Sequence, residues 1–117
     1  MFYSEAQILN KTLDQNTGLL QVETGAASGS ATAAETNVAS STSNVVLLAS
    51  NSTRKGCAIF NDSTANLYVK FGATASTTSF TLKMAAGTFF ELPFNFTGEL
   101  DGIWDAANGN ARITELT

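Results

Sequence analysis

The chain reads as an all-β protein: an antiparallel β-sandwich, jelly-roll-like, of about seven or eight strands, with an extended N-terminal arm. Three observations predict this. From residue 44 onward, short apolar runs alternate with turn residues at roughly 10-residue spacing, as in sandwiches and barrels. Nothing in that region has a helical period. Residues 1–43, by contrast, hold few large apolar side chains and so cannot offset an ordering entropy of roughly 1–2 kcal/mol per residue.

The strands follow in order. Val45 to Leu48 is an apolar run closed by Ser50, Asn51 and Ser52. Cys57 to Phe60 is a second, closed by Asn61, Asp62 and Ser63. Leu67, Val69 and Phe71 alternate with Tyr68 and Lys70 until Gly72. Phe80, Leu82 and Met84 alternate with Thr81 and Lys83, and Gly87 follows. Phe89 to Leu92 stops at Pro93, and Leu100 to Trp104 starts after Gly98. Asn108 and Gly109 then turn the chain into Ala111 to Glu115. Alternation gives a strand one buried and one polar face.

Three segments result: an attachment arm at 1–23, a small-residue spacer at 24–43 and the β-sandwich domain at 44–117. Ile8, Leu9, Leu13, Leu19, Leu20 and Val22 carry the arm's apolar content. Ser4 with Gln7 fits a helical capping box, while Asp14 to Gly18 fits a turn leading into an extended Leu19 to Val22. The six apolar side chains either fold back on the β domain or dock on a neighbouring subunit, and the length of the spacer favours the neighbour. Fully extended, the spacer reaches roughly 65–70 Å, and as a coil roughly 25 Å.

Composition excludes several functions. A formal net charge of -4 with 14% charged residues argues against nucleic acid and against an anionic membrane surface. No apolar stretch approaches the length of a membrane-spanning helix, and no signal peptide is expected. With no histidine and one cysteine, neither a Ser–His–Asp nor a Cys–His arrangement can form, and no zinc set exists. The sequence therefore predicts no enzyme and no cofactor. Cys57 is expected as a small buried hydrophobe. Asp101 and Asp105, the nearest approach to a carboxylate pair, read as a solvated turn, and Arg54 and Lys55 as a surface ion pair or inter-subunit contact. Asn61 and three other asparagines in N-x-S/T patterns read as chance.

Aromatic residues crowd the second half of the domain. Most are expected in the core. Phe89 and Phe90 are adjacent, so a strand points them to opposite faces, and Phe94 and Phe96 sit in a loop-like segment after Pro93. Phe90, Phe94, Phe96 and Trp104 are the candidate interface or glycan-stacking aromatics.

LLASNSTRKGCAIFNDSTANLYVKFG at 47–72, FTLKMAAGTFFELP at 80–93 and TGELDGIWDAANGNARITE at 97–115 together resemble a recurrent family of small proteins of tailed bacteriophages. The likeness covers about residues 44–117, and SEAQILNKTLDQNTGLLQV at 4–22 resembles the N-terminal peptides of phage structural proteins. These motifs are turn and strand grammar and carry no chemistry. The resemblance implies a structural virion protein, a capsid decoration (cement) protein on the capsid exterior, made in the host bacterial cytoplasm. It implies the major capsid protein and further copies of the chain, as a homotrimer, for partners. The alternative is a tail fibre, baseplate or head-displayed module that binds host surface glycan.

Overall fold

The computed structural model describes residues 29–92 and 95–117. These residues form eight strands and no helix: β1 (Ala33–Ala39), β2 (Val45–Leu48), β3 (Gly56–Asp62), β4 (Leu67–Phe71), β5 (Leu82–Met84), β6 (Phe89–Glu91), β7 (Leu100–Trp104) and β8 (Asn110–Leu116). Two four-stranded sheets run β1-β8-β3-β6 and β2-β7-β4-β5, every ladder antiparallel.

The pairing is palindromic. β1 pairs with β8, β2 with β7, β3 with β6 and β4 with β5. The chain is thus one long hairpin whose tip is the β4–β5 connection, rolled until β8 meets β3 and β7 meets β4. This is the jelly roll, which limits exposed edges by distributing strands over two packed sheets. All strands but the β4–β5 pair alternate between sheets along the chain.

Period-two alternation builds the core. Cys57 and Ile59 of β3 face Leu67 and Val69 of β4 across the sandwich, with Ile113 of β8 and Leu100 and Trp104 of β7 in the same cluster. Each fully buried large aliphatic side chain contributes roughly 1.5–3 kcal/mol. In β2 the register against β7 shifts between Val46 and Leu48. The extra residue lets the adjacent Leu47 and Leu48 both turn inward, where they are buried. Opposite them the sheet leaves no space for a side chain: a Cβ at Gly102 would stand 2.9 Å from Leu47 Cδ1.

The first strand revises the sequence reading. β1 lies inside the segment expected to be a spacer, and it pairs with β8 over its whole length. Its physical basis is the backbone ladder. All of its residues except the half-buried Val38 are exposed, so it leaves no apolar alternation to detect. Residues 33–39 therefore belong to the sandwich and not to a linker, so the reach estimated for a 24–43 spacer does not apply to that stretch. The apolar run at 80–84 contributes only Leu82–Met84 to the sheet; Phe80 stands outside it.

Candidate interface surfaces

The arm residues Ile8, Leu9, Leu13, Leu19, Leu20 and Val22, and Phe94 of the aromatic loop, lie outside the described residues. The other predicted aromatics pack inward. Trp104 is buried at 1% exposure, with its Nε1–H donated to Asn61 Oδ1 at 3.3 Å. It is a core residue, beyond reach of a glycan in solution. Phe96 stacks on Phe71 with centroids 5.1 Å apart, and Phe90 approaches the same ring from 6.3 Å. Both are half-buried along the margin of the core.

The aromatics that do face solvent are others. Phe89 is 65% exposed and stands directly opposite Phe60, itself 37% exposed, on the outer face of the β1-β8-β3-β6 sheet. Adjacency put one of Phe89 and Phe90 outward, but the residue named as the candidate was Phe90; it is Phe89 that points outward, while Phe90 packs against the core. On the same face Leu116, opposite Gly56, is 37% exposed. Between these lies a groove of about 520 Å³ across β8, β3 and the end of β6. Ala58, Thr114, Leu116, Lys55 and Glu91 line it, together with the core residue Leu92. The nearby Arg112–Asp62 pair, at 2.6 Å, is solvent-exposed on both sides and stabilises little.

The opposite outer face differs. The β4–β5 connection folds back over it, burying Ala75, whose N–H is donated to Asn44 Oδ1 at 2.8 Å. Asn44 in turn donates from Nδ2 to Asp101 Oδ2 at 2.9 Å. Asp101, expected at a solvated turn, is instead a strand residue at 1% exposure, and its Oδ1 is the one buried side-chain oxygen or nitrogen without a partner among the described residues. Lys70, its register partner on β4, is held by Thr74 O and Ser79 Oγ. Beyond the flap, Phe80 leans on Tyr68 at 4.9 Å, and Lys83 Nζ sits 5.5 Å from the Tyr68 centroid. Asp105 is exposed and accepts from Asn66.

Two polar residues close the ends of the sandwich. Arg54 was read as a surface cation, yet it is 1% exposed. Its Nε donates to Glu115 at 2.7 Å, Nη1 to the Phe96 and Gly98 carbonyls, and Nη2 to the Ala49 carbonyl. One guanidinium thereby ties the β2–β3 loop, the β6–β7 loop and the end of β8. At the other end Asn61, fully buried, donates from Nδ2 to the carbonyls of Ala65, Met84 and Ala85 and accepts at Oδ1 from Ser63 and Trp104. This burial removes Asn61 as a glycosylation acceptor. The sequence signal for both hubs was their place beside turn residues, which reads equally well as surface.

Among the described residues no three His, Cys, Asp or Glu side chains gather where they could hold a metal ion. Cys57 is buried at 3% exposure. Desolvation pushes its thiol up to about 11, against the pull of the Arg54 charge and with a smaller push from Glu115. A thiol in that state is inert rather than nucleophilic. Among the described residues, the exposed large apolar side chains are Phe60, Phe89 and Leu116 on the face that carries the groove, and Phe80, beside Tyr68, and Val46 on the other sheet's side. Comparison of the chain with protein-family models, with curated proteins and with solved structures returns no match.

Proposed function

We propose that the chain is a structural virion protein of a tailed phage, a capsid decoration protein that clamps major capsid subunits. The observation that carries this reading is the outer face of the β1-β8-β3-β6 sheet, where Phe60 and Phe89 are exposed opposite each other and Leu116 is exposed farther along β8, in a domain with few charges. An exposed aromatic pair on a small knob suits binding by buried area. The jelly roll supports the reading by analogy alone, since viral capsid and lectin domains share it. The phage-like motifs at 47–115 add to it, and Arg54 and Asn61, which sit in them, explain why such motifs are structural. In this reading a homotrimer sits on the capsid exterior, its knobs meet the capsid through the aromatic face, and the arm's Ile8, Leu9, Leu13, Leu19, Leu20 and Val22 fasten to a neighbouring capsid or decoration subunit. Many weak copies then add by avidity.

The test is copy number relative to the major capsid protein, by quantitative mass spectrometry of purified particles. A ratio near one is the expected result. A ratio of a few per cent moves the protein to the tail, and absence from the particle overturns the reading. Deleting residues 1–23 leaves all eight strands; the truncated knob is expected to fold and to fail to bind particles. The second reading, a tail or head-displayed module for host glycan, is favoured by one feature: the exposed Phe80 beside Tyr68 and Lys83 offers an aromatic platform. Loss of cell or glycan binding on Phe80→Ala, with copy number low, would establish it instead.

A further inference from the structure

Among the described residues each sheet ends in two edge strands: β1 and β6 in one, β2 and β5 in the other. An open edge is a row of unpaired N–H and C=O groups. Proteins blunt such rows by keeping the strand short, by bulging it, or by placing Lys or Pro on it. Three of these edges are blunted: β5 and β6 are three residues long, and β2 carries a register shift. The β1 edge is not. It runs seven residues in unbroken register with β8, reads Ala-Ala-Glu-Thr-Asn-Val-Ala, and holds one charge, Glu35, with no Lys, Arg, Pro or Gly.

The ladder determines which backbone groups of β1 look outward. Thr32 O accepts from the Thr117 N–H, and the Ser40 N–H donates to Gly109 O. Residues that bond a given neighbour alternate along an antiparallel strand. Ala34, Thr36 and Val38 therefore turn their N–H and C=O toward β8, in phase with Thr32 and Ser40. Ala33, Glu35, Asn37 and Ala39 turn theirs to the open side.

These outward residues are placed symmetrically about Thr36. A second β1 laid antiparallel on the first, with Thr36 opposite Thr36, sets Ala33 against Ala39 and Glu35 against Asn37 twice over. Every outward N–H and C=O then has a partner. Thr–Thr is a favourable cross-strand pair, and each carboxylate faces an amide. Arg112 lies beside Asn37 on β8, so the row that receives the second copy's Glu35 continues into a cation. Sliding the pair by two residues one way sets Glu35 against Glu35, a like-charge contact. Sliding it the other way leaves Ala33 without a partner in β1. A foreign strand can use the same backbone groups, but it has no need of this symmetry; a second copy does.

We propose that the β1 edge is a self-pairing surface through which two copies join by antiparallel strand addition. Four strands from each copy then form one continuous sheet. The two-fold axis stands perpendicular to that sheet, so Phe60 and Phe89 of both copies face the same way and stay uncovered. The contact does not rest on the virion reading. Being two-fold, it joins copies in pairs and is distinct from any contact that builds a homotrimer.

The test is disulfide formation by the full-length chain in solution. Thr36 faces its counterpart in a non-hydrogen-bonded pair, with Cα atoms about 4.5 Å apart, a distance that a disulfide spans. Thr36→Cys is expected to oxidise to an interchain 36–36 disulfide at micromolar protein. Asn37→Cys, whose register partner is Glu35, is expected to link at least about tenfold less. The native chain, whose one cysteine is the buried Cys57, is the blank. Absence of the 36–36 link overturns the proposal, and so do equal yields at 36 and 37, which would mean random collision. Two changes in the Thr36→Cys chain then probe the pairing itself. Glu35→Pro removes an outward N–H and spares the ladder to β8. Asn37→Glu, at an exposed position, sets carboxylates opposite each other. Each is expected to cut the yield at least about tenfold with the β-sheet spectrum retained. Adding Glu35→Lys to Asn37→Glu sets opposite charges across the contact and is expected to restore the link. An unchanged yield in a variant that keeps its spectrum, or a yield that Glu35→Lys does not restore, also overturns the proposal. No particle enters the test, so its outcome is separate from that of the copy-number measurement.

Discussion

The two ends of the sandwich are closed by opposite chemistry. At the end where β8 finishes and the arm emerges, a buried cation gathers three carbonyls and a carboxylate. At the far end a neutral amide gathers three carbonyls, a hydroxyl and an indole N–H. Further bonds surround the amide: Ser40 with Gly109, and Asn108 with Thr64. The difference teaches what each end must tolerate. A charge-assisted hub is strong but fails badly when one partner is lost, because the other remains buried and unpaired. A neutral hub with redundant neighbours fails in part.

The contrast breaks most sharply at Arg54. Arg54→Ala removes four hydrogen bonds and strands Glu115, whose side chain is only 16% exposed. A loss of about 3–5 kcal/mol is expected in urea unfolding. Arg54→Lys should recover little of it, because an ammonium cannot reproduce the planar fork that spans these acceptors. A lysine variant of near-native stability would show that charge alone closes this end. Asn61→Ala comes next, at about 2–3 kcal/mol, because Trp104 Nε1–H and several carbonyls lose their partner while the surrounding loop bonds persist. If Asn61→Ala proved the costlier of the two, the ranking of the ends would be reversed.

Seven of the eight strands were legible in the sequence as short apolar runs between turn residues, some of them, such as β3 and β4, with a period of two from one buried face. β1 was not, for the same reason inverted: a strand held by its backbone ladder, with side chains such as Ala34, Glu35 and Thr36 in solvent, leaves no apolar period. The interface was legible in part. Adjacency split Phe89 and Phe90 between the two faces without telling which faced out, and Phe90, Trp104 and Phe96 were read as possible surface aromatics before their partners Phe71 and Asn61 were visible. Polar hubs were the hardest. Arg54 and Asn61 follow or precede turn residues, and only the convergence of three loops, a long-range fact, takes them out of water. Asp101 was misplaced likewise, because the flap that covers it comes from the β4–β5 connection.

A smaller effect separates the two ends by pH. Cys57 lies at the Arg54 end, and its thiol is raised from 9.0 to about 11 chiefly by desolvation. The folded protein therefore binds the thiol proton more tightly than the unfolded chain does. Stability from this group is complete below pH 9 and is lost as pH rises through 11, by about 2–3 kcal/mol at most. Urea midpoints measured at pH 8 and pH 11 should fall further in the native protein than in Cys57→Ala. Equal falls would mean that the thiol does not contribute to alkaline unfolding.

The smallest expected change in stability falls on the residue expected to matter most for partners. Phe89 is 65% exposed, so Phe89→Ser should alter unfolding by no more than about 0.5 kcal/mol. Its neighbour across the ladder, Phe60, loses only a partly solvated contact. Natural proteins seldom keep an exposed aromatic pair on a bare sheet face without a partner to cover it. Phe89→Ser combined with Phe60→Ser should therefore leave the thermal midpoint nearly unchanged while abolishing particle binding in a sedimentation assay. On the opposite sheet, where the flap carrying Ala75 already covers Asp101, Val46→Ser is the matched control: also exposed, at 46%, and expected to leave binding intact. Equal loss on both faces would mean that the partner grips the knob without preference for the aromatic face; no loss on either would remove that face from the interface and leave attachment to the arm alone.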